Sequence, residues 1–311
     1  MKTHFSNSSN VISTDRGEIE YSLSDVVVTG KPVVLSLHGG IGGIDQSRLI
    51  VEWVDQTKFR LLCVSRPGYL NTPLSSGYSL EDQALLFEAL LNKLNITKVI
   101  IVATSAGGPP AFTFAAMFPE RVSGLISIDS VSRYYEEPES GWLAKKMFTS
   151  PAGQKLLNYL GNRFPHWFSS ELLKTIAHYT FTEFQRQISF VKKTESATAL
   201  LKGFLNAMYP YSTRRAGTEN DLKLMKNLTD LPLEQIKAPT LIIHGTHDAD
   251  VHFHHGVYAF ENIENATKHW IYEGSHLGFW IGVAAAEAQY AAGLFLDNLT
   301  KQNNDNHLGL L

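Results

Sequence analysis

The chain has 311 residues, 44% of them hydrophobic and 18% charged, with a formal net charge of −3 when histidine is neutral. That length suits one large α/β domain or two smaller ones, the composition is that of a globular protein with a full core, and the charge excludes the basic footprint of a nucleic-acid binder. One cysteine excludes an intrachain disulfide framework; Met1 to Ser8 lack the apolar core of a signal peptide, and no apolar run nears membrane-spanning length, so the expectation is a cytoplasmic protein without a membrane span.

Residues 17–23 and 25–28 are read as an antiparallel start. Residues 33–37 (VVLSL) then read as a buried strand running into the glycine loop His38-Gly39-Gly40-Ile41-Gly42-Gly43. Residues 59–64 are a second strand, in which Cys63 is expected to be a core residue. Ser65-Arg66-Pro67-Gly68-Tyr69 follow as a turn. Residues 80–95 predict a helix, with Ser79 and Asp82 at capping-box spacing and Leu85, Leu86, Ala89, Leu90 and Leu94 on its apolar face. The β-branched run Val99-Ile100-Ile101-Val102 leads through Ala103-Thr104 to Ser105, and a helix is expected over 111–118. Pro109 and Pro110 are expected to make its start irregular, because each lacks the N–H that a helix interior needs. Another strand, 125–128, ends at Asp129.

From residue 133 to 231 the strand pattern vanishes, and aromatic residues, among them Trp142, Phe148, Trp167, Phe168 and Phe184, are scattered among helix formers. This predicts a helical cap over residues 133–231, set into a core formed by residues 1–132 and 232–311. The strand pattern resumes at 238–245, a buried strand ending in a glycine turn. Asp248 stands three residues after Gly245, a helix-like stretch covers 256–261, and a strand over 267–272 leads to His276. A helix over 284–299 and a polar, frayed tail over 301–311 complete the chain.

A strand that turns into a helix through a serine flanked by small residues is a nucleophile elbow. Here the small residues are Ala103 and Gly107, two before and two after Ser105. A bland alternative is that Ser105 only caps a helix. A serine hydroxyl is a poor nucleophile at neutral pH, so a histidine must take its proton and a carboxylate must hold that histidine's tautomer. His276 is the expected base and Asp248 the expected acid, with Asp129 and Asp250 as rivals for the acid. Two N–H groups must face the developing oxyanion. Ala106, directly after Ser105, and Gly40, in the first glycine loop, are the expected donors.

The segments His38-Gly39-Gly40, Ser65 to Tyr69, Ala103 to Gly108, Gly245 to Asp248 and Gly274 to His276 follow one another as in the α/β-hydrolase superfamily, which the chain resembles over most of its length. The resemblance implies an α/β fold with a mostly parallel central sheet, a Ser105–His276–Asp248 triad, and a cap inserted after the sixth strand. Two positions depart from the common pattern. Ala103 replaces the usual glycine of the elbow, and Arg66 stands where many relatives carry aspartate.

The expected function is hydrolysis of a small carboxylic ester or related acyl compound through an acyl-enzyme on Ser105. Alternatives are C–C hydrolysis of a diketo acid, amide cleavage by the same groups, or a non-catalytic ligand receptor on this fold. C–C hydrolysis of an acidic substrate calls for a basic contact, for which Arg214 and Arg215 are candidates, though surface or structural roles suit them better. His244, His247, His252, His254 and His255 cluster in sequence but lack zinc-site spacing, so no metal and no cofactor is expected. The expected partner is a small acyl substrate. Trp142, Trp167 and Phe184 are candidates for its pocket wall.

Overall fold

In strands that are buried on both faces, successive side chains feed two different cores. Val33, Leu35 and Leu37 join one hydrophobic cluster with Val99, Ile101 and Ala103, while Val34, Ile100 and Val102 join the other with Ile126 and Ile128. This is why VVLSL and VIIVAT are almost uninterrupted apolar runs. The computed structural model describes residues 8–24, 30–137 and 150–308, with side chains as far as residue 301.

Eight strands form one sheet: β1 (Asn10–Thr14), β2 (Gly17–Leu23), β3 (Val33–Leu37), β4 (Arg60–Val64), β5 (Val99–Thr104), β6 (Val122–Ile128), β7 (Thr240–Gly245) and β8 (Ala266–Ile271). Their order is β1-β2-β4-β3-β5-β6-β7-β8. The pairings from β4 to β8 are parallel, and β1 and β2 form an antiparallel edge. The partner of residues 17–23 is therefore the preceding segment, Asn10–Thr14, and residues 25–28 lie outside the described residues. Cys63 is buried in β4, where burial pushes its thiol up to about 12.

The core helices are α1 (Ile44–Leu49), α2 (Leu80–Lys93) and α3 (Gly108–Met117). Ser79 and Asp82 close a capping box on α2. Pro109 and Pro110 sit within the first turn of α3, where their missing N–H groups would have no intrahelical partner anyway. The irregularity expected from them is instead a short 3-10 turn over Ser105–Gly107 just before α3.

Between β6 and β7 the chain builds helices α4 (Pro151–Arg163), α5 (Pro165–Ile176), α6 (Phe181–Lys193), α7 (Glu195–Asn206) and α8 (Arg215–Lys226). Trp142 and Phe148 lie outside the described residues. After β7 come α9 (His254–Asn262), α10 (Gly278–Ile281) and α11 (Ala285–Leu308), the last of which continues past residue 299 through much of the tail expected to fray. No helix among the described residues is long and apolar enough to cross a membrane.

Candidate active site

Gly40, Ser105, Asp129, Asp248 and His276 all follow the C-terminal ends of parallel strands, where α/β sheets place their ligands. Ser105 follows β5 with φ of 53°, a left-handed conformation that a serine adopts only when its surroundings impose it. Gly107 shows what imposes it. A Cβ there would lie 2.5 Å from the Leu37 carbonyl oxygen and 2.7 Å from that of His38. The elbow is pressed against the end of β3, and only glycine fits.

His276 Nε2 lies 3.1 Å from Ser105 Oγ, and His276 Nδ1 lies 2.7 Å from Asp248 Oδ2. The other oxygen of Asp248 accepts the backbone N–H groups of Asp250 and Val251 at 2.8 and 2.9 Å, which locks the carboxylate. Asp250 Oδ2 is 3.3 Å from His276 Nε2, and Asp250 Oδ1 accepts the Tyr135 hydroxyl at 2.7 Å. The imidazole thus has a carboxylate at each nitrogen. Burial opposes its charged form, but Asp248 and Asp250 outweigh burial and push the His276 pKa up to about 10.

Asp129, the rival acid, does not reach His276. Its Oδ1 accepts the Gly245 N–H at 2.7 Å, and its buried Oδ2 has no hydrogen-bond partner. Burial and the neighbouring Asp248 charge hold its pKa well above the carboxylate range. Asp129, His244 and Asp248 are the one trio among the described residues with donor atoms within 4.8 Å of one another. Two of the three are already engaged: Asp248 Oδ2 faces His276, and His244 Nε2 lies 2.8 Å from the Val251 carbonyl.

Gly40 and Ala106 face each other across the mouth of the site; a Cβ on Gly40 would lie 3.9 Å from that of Ala106. Gln46 Oε1 accepts the Gly39 N–H at 2.8 Å and so steadies the loop. His38 is fully buried and receives the Arg66 N–H on Nε2 at 3.0 Å, so its proton sits on Nδ1, 2.7 Å from the Gly39 carbonyl. Burial first, and Arg66 second, depress its pKa and keep it neutral. Arg66 itself pairs with Asp221 of α8. Arg66, Asp221, Gln46 and Tyr135 had no site role in the sequence reading. Arg66 alone carried a local signal, as the odd residue before Pro67-Gly68.

A cavity of about 400 Å³ opens on Ser105, with Phe168, Leu201, Phe204, Leu205, Met225 and Trp280 among its apolar walls. Its charged lining residues are Glu137, Asp221, Asp250 and His276; no lysine or arginine lines it among the described residues. Arg214 is buried against Asp45 and the Ala207 carbonyl, and Arg215 pairs with Glu219 on the surface, so neither is a basic contact in this cavity. Trp167 is 47% exposed, and neither it nor Phe184 is part of the wall. The described aromatics between β6 and β7 that do line it are Tyr135, Phe168 and Phe204, the last two turning inward from α5 and α7.

Comparison with known proteins bears on the family of the fold. The family model for the alpha/beta hydrolase fold matches residues 32–283. The hydrolase YcgS of Bacillus subtilis is 28% identical over 285 residues, covering 89% of this chain and 94% of its own. A 2-hydroxy-6-oxononadienedioate/2-hydroxy-6-oxononatrienedioate hydrolase of Pseudomonas putida is 27% identical over 263 residues, covering 81% of this chain and 84% of its own. The solved structure of an alpha/beta hydrolase fold protein from Nakamurella multipartita superposes with a TM-score of 0.85 at 28% identity, covering 92% of this chain and 98% of that one.

Proposed function

The chain belongs to the alpha/beta hydrolase fold family, and on that premise we propose that it is a serine hydrolase of small carboxylic esters or related acyl compounds, with Ser105, His276 and Asp248 as its catalytic triad and the helices between β6 and β7 as a cap. The observation that carries this reading is the continuous Asp248–His276–Ser105 relay opening onto an apolar cavity.

The steps follow from the positions. His276 Nε2 takes the Ser105 proton as Oγ attacks the acyl carbon, and Asp248 stabilises the imidazolium that forms. The oxyanion turns toward the N–H groups of Gly40 and of Ala106, in the 3-10 turn before α3, which stabilise charge that exists only in the tetrahedral state. His276 returns the proton to the leaving group. Water then enters by the same base catalysis and frees the acid.

Resemblance to the Pseudomonas putida enzyme favours a second reading, C–C hydrolysis. The cavity argues for the ester. A dianionic substrate is opposed by the carboxylates of Glu137 and Asp250 on the wall, while the Asp221 carboxylate is paired with Arg66. The test is a fluorophosphonate probe together with a panel of p-nitrophenyl esters of rising acyl length. Labelling should map to Ser105 and vanish in Ser105→Ala, with turnover falling on the order of 10⁶-fold. Labelling of a different serine, with ester turnover retained in Ser105→Ala, overturns the assignment.

A further inference from the structure

We propose that Arg66 and Asp221 are positioning residues that aim the Gly40 N–H at the oxyanion, with the insertion helix α8 supplying the counter-charge that makes this possible. The inference rests on the serine-hydrolase reading and adds a link between the insertion and the chemistry.

The argument begins with one peptide unit. The Gly39 carbonyl and the Gly40 N–H belong to the same planar trans amide, so they point in opposite directions, and fixing one fixes the other. Two donors hold the carbonyl: His38 Nδ1 at 2.7 Å and Arg66 Nη2 at 3.3 Å. Arg66 Nε also donates to the His38 carbonyl at 3.0 Å, and the Arg66 backbone N–H holds His38 Nε2 at 3.0 Å. One arginine therefore orients both peptide planes leading into Gly40, directly or through His38. Gly40 lies opposite Ala106, and its N–H donates to no acceptor among the described residues.

A guanidinium with no solvent exposure persists only if it is paired and its hydrogen bonds are filled. Asp221 meets that need with a two-pronged contact, 2.8 Å from Nη1 and 2.5 Å from Nη2. The Tyr69 hydroxyl donates to the same carboxylate at 2.6 Å. Backbone bonds stitch the two segments together, Gly217 N to the Gly68 carbonyl at 2.9 Å and Leu70 N to the Thr213 carbonyl at 2.8 Å. A Cβ on Gly68, whose φ is +84°, would lie 2.4 Å from Gly217 N, so the approach is as close as backbones allow. Asp221 also lines the cavity, where substrate would touch the residue that holds the oxyanion loop.

A clamp of this kind predicts a loss in the transition state rather than in substrate binding. Arg66→Lys keeps the charge opposite Asp221, but an ammonium cannot reproduce the planar fork that reaches both Asp221 and two carbonyls. Arg66→Met with Asp221→Leu removes both charges and leaves an apolar contact that can fold. With p-nitrophenyl butyrate, both enzymes should lose ten- to a hundredfold in kcat per fluorophosphonate-titrated site, with KM changed less than threefold. Inhibition by an alkyl trifluoromethyl ketone, which forms a tetrahedral adduct on a serine nucleophile, should weaken by the same factor. The inference is overturned if a folded variant keeps wild-type kcat per titrated site and wild-type ketone affinity while only its Tm falls, since that marks a purely structural ion pair. Failure of the underlying reading looks different: the wild type itself would be neither labelled at Ser105 nor active on the ester.

Discussion

The insertion meets the two sides of the site in different ways. On the acid and base side it uses backbone. The Ile176 carbonyl, at the end of α5, accepts the N–H groups of both Ala249 and His276 at 3.2 Å, and His178 N donates to the His247 carbonyl at 2.9 Å. On the oxyanion side it adds to its backbone bonds two ion pairs, each with a buried arginine, Asp221 on Arg66 and Arg214 on Asp45. The contrast has a physical reason. A helix C-terminus carries orphan carbonyls that need donors, and the loops bearing Asp248 and His276 offer theirs. The glycine loop after β3 presents carbonyls instead, and these take their donors from neutral His38 and from the Arg66 guanidinium. Backbone contacts of the first kind should tolerate side-chain changes that the second kind would not.

The sharpest way to break this picture is at the acid. Asp248→Asn should lower kcat on the order of 10⁴-fold with little change in fold, because an amide imposes the wrong tautomer on His276. Asp129→Asn should cost less than about tenfold, since Asp129 is held by Gly245 and does not touch the histidine. Steady-state assays of the two variants decide the matter. A dead Asp129→Asn beside a near-normal Asp248→Asn would move the acid to the end of β6.

The candidate site is legible in the sequence only in part. Ser105, Asp248 and His276 each stand a fixed few residues beyond an apolar run, so strand ends and turn residues mark them locally. Arg66 and Asp221 are 155 residues apart, and nothing in either segment announces the other. The pocket wall is less legible. Helical spacing says which residues share a face but not which face meets the cavity, so nothing local sets Phe204 apart from Trp167 and Phe184. The edge strand β1 escaped because its side chains are mostly exposed and leave no apolar alternation to read.

The next effect in size is a shift with pH. His276 can take the Ser105 proton only when neutral, and with its pKa at about 10 most of it is imidazolium at pH 7. The groups that set this are Asp248 and Asp250 at its two nitrogens and Asp129 beyond them, with His244 3.7 Å from the Asp248 carboxylate. kcat/KM should therefore climb about tenfold per pH unit below the midpoint and level off above it. Asp250→Asn removes one of the two flanking carboxylates, so the midpoint should move to lower pH and the fraction of plateau activity seen at pH 7 should rise. An unchanged midpoint in that variant would mean that Asp250 does not govern the base.

The smallest effect tests the wall itself. Phe204 comes from the insertion, is 7% exposed, and its ring packs edge-on against Trp280 at 5.7 Å, both of them lining the cavity. Phe204→Ala should open room for one or two methylenes of a longer acyl chain, each worth about 0.8 kcal/mol of burial, or roughly fourfold in kcat/KM. The ratio of long-chain to short-chain ester activity should therefore rise by four- to sixteenfold, with the Ser105 relay intact and fluorophosphonate labelling unchanged. Phe184→Ala, on the same insertion but away from the wall, is the matched control and should leave the ratio where it was. If the two variants shift the profile equally, the insertion acts through stability and not as the wall of the acyl site. If neither does, the acyl chain lies elsewhere, and the cavity over Ser105 takes the leaving group.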